Sequence, residues 1–401
     1  MMGSGFMAAN TVLLTMLAGH YSSLEEVGIF TLSLTTSQFL YAVGLWGVND
    51  LQMTDYSRRY SFTHYFWTKI ASTAVAAFFC LAALNVLGFG EKACRYTLLL
   101  TGFMLVNSFA ELYQSLYFQN QRLDLSGKSL FFRYLFSTLA FMATLVKTKQ
   151  IVYACVSMLI ADMAMSMYWI MRYAPQFRDS GYALEAEKTW RLIREAFPLG
   201  ISVLASLVLM NAQNYMIYLF VSDEAQGAYT LLFMPVYAVN LMSQFIFKPY
   251  LHQYSLMLKE GEDGFGSLLT KQIASIGIIV IGGALIIRIL GIWLFSLFFG
   301  QDLSEYHDLM SLFMLSGGVL AVNQLLYYLM VILGKRRELL FNYMISIAIT
   351  IPAGIVLIPR RVIGGAWFSF TVSQVCLMAG YVYSLSRYFS GKRVVKQTED
   401  M

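Results

Sequence analysis

Apolar residues along the 401-residue chain fall into repeated runs of about 20, separated by short polar breaks. A run of that length, wound as a helix at about 1.5 Å per residue, crosses the ~30 Å of hydrocarbon in a bilayer. Twelve such spans are predicted, over residues 2–20, 26–48, 65–88, 96–118, 129–147, 149–171, 196–220, 227–251, 271–299, 309–333, 339–358 and 363–386. The breaks at 21–25, 222–226 and 300–308 are short. The longest polar stretches, 173–195 and 252–270, alternate to the opposite side, and no break is long enough to hold a folded extramembrane catalytic domain.

The two halves of the pattern echo each other. Ser23, Gly28, Phe30, Thr31 and Leu32 after the first span match Ser222, Gly227, Tyr229, Thr230 and Leu231 after the seventh, at an offset of 199 residues. A weaker echo pairs Gln114 and Tyr117 with Gln324 and Tyr327. Six spans per half preserve orientation, so the repeat is parallel, about an axis along the membrane normal. The expected fold is an all-α membrane protein with about twelve transmembrane helices in two six-helix lobes. Its segments are an N-terminal lobe over 1–174, a linker with an amphipathic helix over 175–195, a C-terminal lobe over 196–388 and a tail over 389–401.

Composition agrees with this pattern. Hydrophobic residues make up 58% of the chain and charged residues 13%, with a mean hydropathy of +0.60. Soluble domains carry roughly 25% charged residues, so a large soluble enzyme is excluded. The net charge of +5 matters less than where the cations sit. Twenty-one Lys and Arg fall in or beside one set of alternate loops, six in the other set, and Arg288 lies within a span. That asymmetry predicts both termini on the cytoplasmic side. The four cysteines are scattered, with no CxxC pair and no clustered histidines, so neither a metal site nor a cofactor is expected. No basic region precedes the first apolar run, which argues against a signal peptide. No nucleic-acid partner is expected.

The candidate chemistry lies in polar residues out of place in lipid, where a charge is costly unless it is paired or faces water. Asp162 sits near mid-depth of the sixth span and Glu111 in the inner half of the fourth, as candidates for binding a coupling ion or for pairing within the bundle. Arg288, in the outer half of the ninth, has the planar fork that grips a phosphate, or else snorkels to the interface. Arg58 and Arg59, in the loop after the second span, are placed to gather an anionic head group or simply to set topology. Asn211 and Asn214, three apart, share a helix face, as do Asn240 and Gln244, four apart. With Asn323 and Gln324 they can line a wet cavity and bond sugar hydroxyls, or hold helices together. Gly-Gly pairs at 282–283, 317–318 and 364–365 read as close-packing points, and Pro235 and Pro249 as kinks.

Certain stretches resemble a known family. These are Asn49–Asp55 with Ser61, Phe62, His64, Tyr65 and Lys69; the run from Arg122 through Asp124, Gly127 and Lys128 to Arg133; and Gly227–Tyr229 through Met234-Pro235 to Lys248-Pro249. They are similar to the oligosaccharide flippases, the polysaccharide and O-antigen-type exporters related to the MATE transporters and the lipid II flippases within the MOP superfamily. The resemblance implies two lobes in a V around a cationic cavity. It implies alternating-access export, across a bacterial cytoplasmic membrane, of an oligosaccharide carried on a polyprenyl pyrophosphate. Its implied partners are that lipid-linked sugar, membrane lipids, and a polysaccharide polymerase with other assembly proteins. Two departures stand out. Relatives carry a cytoplasmic leader before the first helix, so residues are expected to be missing from this start; and Asn214 stands where relatives often have a charge.

Three functions remain in view: the flippase, a cation-coupled MATE-like exporter of small amphipathic molecules, and a membrane-embedded sugar polymerase or ligase. No Walker A sequence is present, so ATP hydrolysis is not built into this chain. Asp55–Arg59 faintly echoes the basic loop of major-facilitator transporters without its flanking glycines. The short outer loops weigh against the enzyme, which needs a large loop with catalytic Arg or His.

Overall fold

The structure is a computed structural model that describes residues 2–55, 58–86, 88–177, 185–259 and 264–399. Every regular element among them is helical. Contacts divide the chain into two compact units, Met1–Leu207 and Val208–Met401.

The first unit holds α1 (Met2–Tyr21), α2 (Leu24–Leu45), the short α3 (Val48–Thr54), α4 (Phe62–Val86), α5 (Glu91–Gln119), α6 (Leu123–Thr148), α7 (Ile151–Tyr173) and the start of α8 (Ala186–Phe220). The predicted linker has residues 178–184 outside the described set, and from Ala186 it is already helix. At the centre of the unit lies α2, buried along 78% of its most apolar window and packed on both α5 and α4. Its start is fixed by Ser23, whose hydroxyl accepts from the Glu26 amide at 3.3 Å. Its end is a left-handed turn at Trp46 (φ 47°) and Gly47 (φ 69°) that swings the chain into α3. Close packing of α2 on α5 depends on Gly44, where a Cβ would stand 3.0 Å from the Ser108 hydroxyl.

The second unit holds the rest of α8, then α9 (Asp223–Leu232), α10 (Met234–Phe247), α11 (Leu251–Lys259), α12 (Phe265–Phe299), α13 (His307–Ile332) and α14 (Arg336–Glu399). Its hub is α13, packed on α10, α12 and α14. Ser222 caps α9 as Ser23 caps α2, accepting from the Ala225 amide at 3.2 Å. The internal repeat therefore marks equivalent helix starts in the two units. The predicted kink at Pro235 is a break: α9 stops at Leu232 and α10 restarts at Met234, because proline has no amide for the ladder. Pro249 lies in a single 3-10 turn that ends α10. The long α14 is broken at Val362 (φ 44°, ψ −115°), with Gly365 tucked against the Leu357 carbonyl where a Cβ would meet the oxygen at 2.3 Å.

Among the described residues, nine helical stretches are long and apolar enough to cross a bilayer, and the last of them contains the break at Val362. α12 is the most apolar of the nine and only 22% of its window is buried, so most of its surface faces outward. Ile278, Ile281, Leu285, Ile289 and Trp293 form that bare face, which suits lipid and not water. α5 is long enough but carries Asn107, Glu111 and Gln114, and it is not one of the nine.

Candidate functional site: charged residues inside the first unit

Four consecutive helices of the first unit each contribute one charged side chain to its interior: fully buried Lys69 from α4, Arg133 from α6 and Asp162 from α7, and half-buried Glu111 from α5. The register of each helix explains why. On α6, Ser129, Arg133 and Ser137 recur every four residues and are all buried, a polar stripe turned inward. On α5, Asn107 and Glu111 stand one turn apart on a similar stripe.

Arg133 has none of its surface exposed. Its Nη2 donates to the Asn107 Oδ1 at 2.7 Å and to the Asp162 Oδ2 at 3.3 Å, and the Asn107 amide donates to that same carboxyl oxygen at 3.1 Å. The three residues close a triangle across α5, α6 and α7. It is incompletely satisfied, since Arg133 Nε and Nη1 and Asp162 Oδ1 are buried without a hydrogen-bond partner among the described residues.

Glu111 accepts from the Tyr41 hydroxyl and, at 2.9 Å, from the Asn49 amide. Lys69 and Arg133 both lie within electrostatic reach of it. Lys69, also fully buried, donates to the Gly44 carbonyl at 3.1 Å and to the Ser108 hydroxyl at 3.3 Å. Gly44 lies in the last turn of α2, where carbonyls have no acceptor role within the helix. Lys69 thus satisfies a free helix end while supplying a cation to the core. Two positive and two negative groups leave this interior formally neutral.

At the end of the unit where α3 lies, Asp55 organises the loop. Its carboxylate accepts from the Arg59 and Tyr60 amides at 3.0 and 3.1 Å and from the Tyr65 hydroxyl at 2.9 Å, while its carbonyl accepts from Gln119 at 2.7 Å. Arg59 lies 3.9 Å from Glu195 on α8 as well as near Asp55. Burial, reinforced by a hydrogen bond to Glu195, pushes the Tyr60 phenol above its ordinary range. Arg58, also exposed, donates to Asn120 at 2.8 Å. Both predicted head-group arginines therefore sit on the surface and are held by neighbours.

In the second unit, Asn211 and Asn214 of α8 are buried together. Asn214 Oδ1 accepts from Thr230 at 3.3 Å and from Gln226 at 3.4 Å. Asn323 binds the Gln374 carbonyl at 2.8 Å and its side-chain oxygen at 3.0 Å, joining α13 to α14. Gln324 is half-buried and bonds Tyr328. Asn240 Oδ1 is buried with no partner among the described residues, and the Gln244 side chain lies outside them. Arg288 lies away from all of these. It is exposed on the bare face of α12 and paired with Asp308 at the start of α13, and its carbonyl contacts His307 at 2.9 Å.

Reading the sequence located Glu111 and Asp162 but assigned Lys69 and Arg133 to the loop cations, because each lies close to a span's end. Both belong to the interior, which leaves nineteen cations against six in the loop asymmetry. The stripe Ser129-Arg133-Ser137 was the signal available. Thr230 was visible only as part of the repeat, and Gln226, which aligns with Val27, was not singled out.

Residues 10–255 match the family model described as polysaccharide biosynthesis protein. The chain belongs to that family. The match takes in the whole buried charge cluster and runs on through α10. A search of the curated proteins finds no match. Among solved structures, the chain resembles an inward-facing multidrug resistance MATE family transporter of the MOP superfamily (13% identity, 98% of this chain and 96% of that one, TM-score 0.76). It also resembles a point mutant of the Vibrio cholerae MATE transporter VcmN (14%, 97% and 95%, 0.63) and a MOP superfamily transporter from Pyrococcus furiosus (11%, 96% and 93%, 0.62). The polysaccharide biosynthesis family member thus has the fold of the MATE transporters and is a multi-pass membrane protein.

Proposed function

We propose that this protein translocates an oligosaccharide linked to a polyprenyl pyrophosphate across the bacterial cytoplasmic membrane by alternating access, with both termini in the cytoplasm. The family match over residues 10–255 carries the reading. The physical demands of such a cargo agree with it: a sugar head needs amides and water, and its lipid tail can stay in the bilayer. The outward apolar face of α12 is compatible with a neighbouring lipid tail. Asn211, Asn214, Asn240, Gln244, Asn323 and Gln324 remain the proposed sugar contacts, with Arg58, Arg59 and Arg288 for the pyrophosphate. Asp162 and Glu111 are the proposed coupling residues. Because Lys69 and Arg133 already balance them, a coupling cation entering there must displace a resident cation or arrive as a proton.

The test is flux of a fluorescent lipid-linked oligosaccharide in proteoliposomes, read as loss of protection from an impermeant quencher. Protein-dependent flux supports the reading, and an inert, correctly folded protein overturns it. A second reading, export of small amphipathic molecules, is favoured by the fold shared with multidrug transporters. Efflux of dyes coupled to a proton or sodium gradient, without lipid-linked sugar flux, would decide for it.

A further inference from the structure

At the end of the first unit opposite Asp55, the turn between α1 and α2, the start of α5 and the turn between α6 and α7 enclose a cavity of about 470 Å³. That volume is within the usual range for small-ligand sites, about 300–1,000 Å³. Its wall carries three cationic side chains, Lys92, Arg95 and Lys149, from two separate parts of the chain. The only carboxylate in the wall is Glu26, and it is engaged already: Lys92 Nζ lies 2.5 Å from one of its oxygens and the Tyr96 hydroxyl 2.6 Å from the other. Arg95 pairs with Glu91, its exposed neighbour one turn back, through a single nitrogen. Lys149, in the left-handed conformation (φ 56°) that ends α6, lies 3.9 Å over the ring of Tyr21.

We propose that this cavity binds a phosphate group, as a monoester or diester. Charge in the wall is positive by three to one, and α2, α5 and α7 all begin around it, adding the positive ends of their dipoles. Arg95 keeps guanidinium donors beyond the one that holds Glu91, and Lys149 is held by a ring face, which leaves its three N–H donors unspent on any acceptor atom of that ring. A phosphate monoester or diester offers the charged non-bridging oxygens that such donors need. The rings of Tyr21 and Tyr96 give the rest of the ligand an apolar wall. The proposal is independent of what the protein transports.

The probes are inorganic phosphate, soluble glycerol phosphate, and nanodiscs of phosphatidylglycerol or phosphatidylcholine, each with the full chain. Binding is read by phosphorus NMR line broadening for the soluble probes and by native mass spectrometry for retained lipid. Lys149→Gln and Arg95→Gln are each expected to weaken binding about tenfold, the loss of one hydrogen bond to a charged group. Lys149→Arg should keep it, and raising salt should weaken it. Saturable binding of the soluble phosphates, lost in the glutamine variants, identifies a soluble ligand. Retention of phosphatidylglycerol that falls in the same variants, without soluble binding, identifies a lipid head group. Binding by neither class, or binding unchanged in glutamine variants that melt as the parent does, overturns the proposal; if a glutamine variant melts early, loss of binding in Lys149→Arg overturns it instead.

Discussion

Removing either Arg133 or Asp162 alone leaves the other as an uncompensated charge inside a helix bundle. Such a truncation typically costs about 3–5 kcal/mol, whereas replacing both partners by apolar residues is often near neutral. Arg133→Leu and Asp162→Leu are each expected to lower the melting temperature of the detergent-solubilised protein sharply, and the double substitution to recover most of the loss. Additive losses in the double variant would show that the two residues act apart. The exposed pair between Arg288 and Asp308 is different, because solvent and head groups screen it. Arg288→Gln should leave melting near the parent's while lowering flux, and unchanged flux at normal protein level would remove Arg288 as a pyrophosphate contact. At this scale the sequence spoke unevenly. A charge at mid-span, such as Asp162, is conspicuous, but Lys69 and Arg133 lie only a turn inside the predicted spans 65–88 and 129–147, whereas α4 and α6 begin earlier, at Phe62 and Leu123. Only the helix register shows which way they point, and hydropathy averaging removes that register.

Helix contacts were more legible. In two of the predicted Gly-Gly pairs one member, Gly283 or Gly365, makes a close approach, and in the third both Gly317 and Gly318 do. At Gly317 a Cβ would stand 3.0 Å from the Val236 backbone on α10, whereas at Gly364 nothing lies within 4 Å. Gly317→Ala is therefore expected to push α13 off α10 and lower the melting temperature. Gly364→Ala should be neutral or slightly stabilising, since alanine is favoured over glycine within helices by about 1 kcal/mol. Equal effects of the two would mean that the approach at Gly317 is not tight. The matching caps at Ser23 and Ser222 were foreshadowed by the 199-residue echo, and each should cost about 1 kcal/mol when changed to alanine. What periodicity could not reveal was that Pro235 separates two helices. A broken span and a kinked one have the same hydrophobic length.

Over the whole molecule, the alternation of helices within the first unit puts residues 22–23, 88–90 and 149–150 at one end and 58–61, 120–122 and 174–177 at the other. The loop cations, reduced to nineteen against six, are the asymmetry on which the proposed orientation of that axis rests. Single cysteines at Ser23 and Gln150, in a cysteine-free background, are expected to react with an impermeant maleimide from outside the cell. One at Gln121 should react only after permeabilisation, and the reverse pattern would invert the proposed topology. This level of organisation, many apolar helices in two related halves, was the most readable from the sequence, because it is repeated in every span and does not depend on any single residue's register.

The charges that Lys69, Glu111, Arg133 and Asp162 bring to the interior of the first unit also bear on how the chain enters a membrane during synthesis. In order of emergence they are positive on α4, negative on α5, positive on α6 and negative on α7. A helix offered to lipid singly would carry one bare charge, with an insertion penalty of about 2.5–3.5 kcal/mol for Lys, Arg or Asp at mid-depth. Offered as the hairpins α4–α5 and α6–α7, each pair is neutral. The order of signs therefore favours partitioning two helices at a time, with the turn at 120–122 between the hairpins as the natural pause, and each hairpin arrives with its counter-charge already aboard.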